Sequence, residues 1–83
     1  MPTYMDVHNI DGGVSAEAVA ELHRKDLEHQ HDHGVQFIKY WLDEEAGKVF
    51  CLSESPSAEA TMAVHTEAHG APADEIYEVS EHS

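Results

Sequence analysis

The tetrapeptide Ser-Ala-Glu-Ala occurs twice, as Ser15-Ala16-Glu17-Ala18 and, 42 positions later, as Ser57-Ala58-Glu59-Ala60. Each copy has the chemistry of a helix start: a hydroxyl able to cap free backbone N–H groups, then good helix formers with an acid in the first turn. At the same offset Leu22 corresponds to Val64 and His23 to His65. A chain that opens a helix in the same words in each half is expected to be built from two similar units.

The segments around the two helices read as strands. Thr3 to Ile10 alternates, with Met5 and Val7 on one face and Tyr4, Asp6 and His8 on the other. Asp11-Gly12-Gly13 breaks it, and the first helix is expected from Ala16 to about His31, ended by Gly34. Val35–Leu42 and Lys48–Glu54 form a hairpin across the turn at 43–47, and the second helix runs from Ser57 to Gly70. Glu75–Ser80 supplies a last strand. The order is βαββαβ, an α+β ferredoxin-like fold over residues 1–83 as one domain, with an antiparallel sheet and both helices on one face.

Strict alternation along the first hairpin strand places Val35, Phe37 and Trp41 on one face and Ile38, Tyr40 and Leu42 on the other. Both faces are then apolar, and two helices cover only one. An 83-residue chain has a marginal core, and the lone Cys51 excludes an internal disulfide. A homodimer through or near the open sheet face is therefore expected.

The chain has 17 Asp and Glu against four Lys and Arg, a formal charge of -13 with neutral histidines. Arg24, Lys25, Lys39 and Lys48 form no patch with interleaved aromatics, which argues against nucleic acid as a partner. An acidic field instead concentrates cations. The start Met1-Pro2-Thr3-Tyr4-Met5-Asp6 lacks the basic and apolar run of a signal peptide, and no stretch is long enough to cross a membrane. A cytoplasmic protein is expected, and a single cysteine suits that reducing setting.

Eight histidines stand out. Asp6 and His8, two apart on a strand, leave the same face, and a carboxylate with an imidazole suits divalent metals. His65 and His69, four apart on the second helix, have the spacing by which two imidazoles grip one ion. Thr66 stands where the zinc proteases carry Glu, so the general base of that signature is missing. His29-Gln30-His31-Asp32-His33 packs three imidazoles into five residues, but at a helix C-terminus, where histidines are favoured anyway. His23 shares a stripe with apolar neighbours and reads equally as a packed residue. Cys51, between Phe50 and Leu52, reads as a small buried hydrophobe. No phosphate loop, nucleophilic triad or paired catalytic carboxylate is present in the pattern, so no enzyme activity is expected.

The segments "MDVH", "AVAELHRKDLE", "HGVQFIKYWLDEEAGKVFCLSESPS" and "AVHTEAHGAPADEIYEV" resemble, in order and almost end to end, small ferredoxin-like bacterial nickel-binding proteins. The resemblance implies a dimeric ferredoxin-like fold, surface nickel binding, and nickel sequestration or detoxification rather than catalysis. It brings Asp6, His8, His23, His65 and His69 forward as family-pattern positions, while the density of His29, His31 and His33 departs from that pattern. Nickel is the metal the resemblance implies; imidazole and carboxylate chemistry alone admits zinc or copper equally.

The expected metal residues are thus Asp6, His8, His65 and His69, with His29, His31 and His33 as a competing surface region. A second reading is a small-molecule enzyme or ligand-binding module with incidental metal, its pocket lined by Asp6, His8, His23, His65 and Tyr40. A third is a module whose acidic surface docks a basic partner.

Overall fold

The computed structural model describes residues 1–83. Strands β1 (Thr3–Asn9), β2 (Gln36–Asp43), β3 (Lys48–Glu54) and β4 (Glu75–Val79) form one antiparallel sheet in the order β2-β3-β1-β4. Helices α1 (Ala16–His29) and α2 (Ala58–His69) contribute Val19 and Val64 to the core they share with Val49 and Cys51 of β3. This is the ferredoxin-like α+β arrangement that the repeated helix starts imply. In each copy the serine is the cap: Ser15 Oγ accepts from Ala18 N, and Ser57 Oγ accepts from Ala60 N, both at 3.1 Å.

Two local features differ from the sequence expectation. The first helix ends at His29, and Gln30–His33 continues as a tighter 3-10 turn. Gly34 closes it in the left-handed region at φ 68°, with Gly34 N donating to His31 O and Val35 N to Gln30 O. Gln30 turns its side chain inward, where its Oε1 accepts from Phe37 N at 3.0 Å. The second difference lies in β2. Phe37 pairs with Ser53, but Lys39 pairs with Leu52, so Ile38 is an extra residue, a β-bulge.

The bulge inverts the facing of everything after it. Tyr40 and Leu42 pack on the core with Phe37, while Trp41 turns to the open face. Strict alternation, which puts Trp41 with Phe37, fails at this one residue. The open face carries Met5, Val7, Phe50 and Leu52, half-buried, with Trp41 46% and Tyr77 53% exposed. Lys39 Nζ sits 5.8 Å from the Trp41 ring on that same face.

The link from β1 to α1 is fastened to the hairpin turn. Ile10 N donates to Gly47 O, Val14 N to Glu44 O, and Ala16 N to the Glu44 carboxylate at 2.7 Å. Gly47 sits at φ +69°, and a Cβ there would lie 2.0 Å from Ile10 O. Gly12 also has a positive φ, at +85°, but open space where a Cβ would go. Gly47→Ala is accordingly expected to cost about 3 kcal/mol or more and Gly12→Ala about 1 kcal/mol, as measured by urea denaturation.

Candidate metal centre

The inward face of β1 presents Tyr4, Asp6 and His8, and α1 and α2 close over it. At the contact, His65 of α2 is the largest fully buried side chain of the protein, and Asp6 is buried with it. His65 Nε2 lies 3.2 Å from both Asp6 carboxylate oxygens, and Nδ1 lies 3.0 Å from Asp26 Oδ1. Carboxylates only accept, so both ring nitrogens donate and the ring is an imidazolium. Two further imidazoles extend the row: His8 Nε2 is 3.0 Å from Asp6 Oδ1, and His69 Nε2 is 3.0 Å from Asp26 Oδ1. The sequence His8–Asp6–His65–Asp26–His69 therefore alternates base and acid across three elements.

Electrostatics follow from this alternation. Burial pulls the His65 pKa down, but the hydrogen bonds and charges of Asp26 and Asp6 outweigh it and raise it to about 9. Burial raises that of Asp6, and the bonds to His65 and His8 outweigh it, leaving Asp6 below the usual carboxylate value. His69 and His23 move the other way. Burial lowers both, against the nearby Asp26 charge and with the help of the His65 cation. Burial, followed by the Asp6 and Asp26 charges, pushes the Cys51 thiol far up, so it stands as a neutral thiol.

Two groups of three or more side chains bring ligand atoms within 4.8 Å of one another: Asp6, His8, Cys51 and His65, and Asp26, His65 and His69. Four of the expected residues, Asp6, His8, His65 and His69, thus converge. Residues expected to take metal at the surface lie instead toward the interior, because β1 turns Asp6 and His8 toward the helices. His29, His31 and His33 belong to neither group; His31 is exposed, and His33 pairs with Glu67 of α2.

Asp26 was not among the sequence candidates. Its signal was there: Val19, Leu22, His23 and Asp26 follow the i, i+3, i+4, i+7 spacing of the inward stripe, so a carboxylate falls where an apolar residue is the norm. Of the residues expected to line a pocket, His8, His23 and Tyr40 line a cavity of about 190 Å³ beside the cluster, whereas Asp6 and His65 do not reach it.

Comparison with known proteins finds a family and a solved relative. The sequence model of the SCO4226-like nickel responsive proteins matches residues 4–79. The chain belongs to the SCO4226-like family. Among solved structures, SCO4226 from Streptomyces coelicolor A3(2) superposes with a TM-score of 0.90 at 41% identity, covering 98% of this chain and 99% of that one. No curated protein matches. The match spans β1 through β4, so every member of the histidine–aspartate row falls within the family region. No helix is long and apolar enough to cross a membrane.

The raised His65 pKa stabilises the fold fully below about pH 6.5, and this is lost as pH rises toward 9. The lowered His23 and His69 values contribute stability above pH 6.5 that is lost as pH falls through their folded values. Thermal midpoints measured in chelator are therefore expected to peak near pH 6.5. His65 accounts for a loss on the order of 3 kcal/mol by pH 9, and His65→Gln is expected to remove the alkaline limb of the profile.

Proposed function

We propose that this protein binds nickel through the buried histidine–aspartate cluster and holds the ion out of circulation, in a reducing cytoplasm and without catalysis. The observation that carries the reading is the convergence of His8 Nε2 and His65 Nε2 on the Asp6 carboxylate. Two imidazoles and a carboxylate are a donor set suited to a borderline divalent ion. Nickel rather than zinc or copper rests on the family, whose description is nickel responsive. Asp6, His8 and His65 would hold the ion, with Asp26 and His69 as the adjoining group. The bound metal would contribute a strong local charge that fixes these side chains. Cys51, a neutral thiol between two acids, is a weaker donor here.

His65 has no lone pair to offer while both its nitrogens carry protons. Metal must displace one of them. Each ion bound near pH 7.5 is therefore expected to release about one proton, and affinity to rise about tenfold per pH unit up to pH 9. Nickel calorimetry in buffers of different ionisation enthalpy measures both quantities. A pH-independent affinity with no proton release would overturn this ligand set.

His29, His31 and His33, of which only His31 is fully exposed and His33 is paired with Glu67, would take ions more weakly, helped by the acidic surface. The two regions separate by mutation. Replacing all three with Ala is expected to leave the tight site within about twofold, whereas His8→Ala lowers its affinity by about tenfold or more. Loss of all nickel binding in the triple variant would assign the function to the surface instead.

The open sheet face supports a homodimer as the working form. Trp41 and Tyr77 are about half exposed there, with Met5, Val7, Phe50 and Leu52 behind them. A soluble monomer seldom leaves so continuous an apolar surface uncovered. Trp41→Glu is expected to convert a dimer to a monomer in sedimentation experiments while leaving the nickel affinity unchanged, since Trp41 faces away from the cluster.

A further inference from the structure

The histidine–aspartate row has an internal symmetry that a single ion does not use. Asp6 lies 3.0 Å from His8 Nε2 and 3.2 Å from His65 Nε2. Asp26 repeats the arrangement at the other end, its Oδ1 3.0 Å from His69 Nε2 and 3.0 Å from His65 Nδ1. Each half therefore consists of one carboxylate, one terminal imidazole and one nitrogen of the same central ring. Within each half the donor atoms lie no more than 4.8 Å from one another. Donors held about 2.1 Å from a common ion stand roughly 3 Å apart, which is already the spacing of carboxylate to imidazole in both halves.

The shared ring is what joins the halves. His65 is fully buried, and its two nitrogens point away from each other, one into each half. An ion on Nε2 with Asp6 and His8 leaves Nδ1, Asp26 and His69 as a complete second set.

We propose, on the reading of the cluster as a nickel site, that His65 bridges two divalent ions, one on Nε2 with Asp6 and His8, the other on Nδ1 with Asp26 and His69. Both ring protons leave to solvent as the ions bind, so the bridge is an imidazolate. Two ions bring four positive charges, of which Asp6, Asp26 and the imidazolate offset three. Asp74 adds a further carboxylate on the wall of the cavity that His8, Asp26 and His69 also line. That cavity, of about 190 Å³, has room for several waters at about 30 Å³ each, and water completes the coordination beyond three protein donors.

Native mass spectrometry on the protein with His29, His31 and His33 all replaced by Ala, which silences the surface region, counts the ions directly. At saturating nickel two ions per protomer are expected, and His69→Ala in that background is expected to hold one. A merely structural His69 would leave the count unchanged, which overturns the second site. Copper(II) serves as a magnetic probe of the bridge. Two copper ions joined through an imidazolate couple antiferromagnetically, so the low-temperature electron paramagnetic resonance intensity is expected to fall well below two spins per protomer. His69→Ala should restore about one full spin on its single ion. One nickel ion per protomer in the parent overturns the second site and leaves the nickel reading standing, whereas none overturns both. Two copper ions with full, uncoupled intensity overturn the bridge. If His69→Ala does not fold, the ion count and spin intensity of its parent decide alone.

Discussion

The fold depends on one ring. His65 reaches from α2 to Asp6 on β1 and Asp26 on α1, so a single imidazolium joins the central strand to both helices. Each carboxylate is buried and needs a donor, and the ring supplies exactly one N–H to each side. Taking away one member of such a set leaves an uncompensated charge in the interior, at a cost of about 3–5 kcal/mol. Against a typical total stability of about 5–15 kcal/mol, that is a large share. His8 and His69 lessen the burden by giving each acid a second imidazole.

The rest of the interior explains why so polar a centre is tolerated. The buried residues include Ser53, Ser55 and Thr61 beside the acids and His65, and the apolar core is a handful of mostly small side chains. Ser53 Oγ lies 3.3 Å from Thr61 Oγ1, and Ser55 Oγ donates to Ser57 O at 2.7 Å, so these hydroxyls are satisfied locally. Large apolar side chains such as Trp41 and Tyr77 lie on the other face of the sheet. The molecule thus gives much of its enclosed volume to polar groups and leaves Trp41 and Tyr77 outside.

Architecture was legible in the sequence because it is carried by local signals. The two serine caps, Gly70 in its left-handed position at φ 71° and the spacing of the strands are each read within a few residues. Asp6 with His8, and His65 with His69, were legible for the same reason, as strand and helix neighbours. What was hidden is long-range: that these pairs meet, and that Asp26 stands between them, follows from the packing of α1 on α2 over β1. The dense stretch His29–His33 is the converse case, local in sequence and without long-range partners from the cluster. Closeness along the chain placed three imidazoles on a 3-10 turn, where His31 points to solvent and His33 turns to Glu67.

Strand β2 illustrates how little sequence separates the inside from the outside of this protein. The extra residue at Ile38 acts as a phase shift in a two-letter code: before it, odd positions face the helices, and after it, even positions do. Lineages that gained or lost one residue there would exchange Tyr40 and Leu42 with Trp41, rebuilding the cavity wall and the exposed face in one event. A change of that kind registers in an alignment as a single gap, while its effect is to turn half a strand inside out.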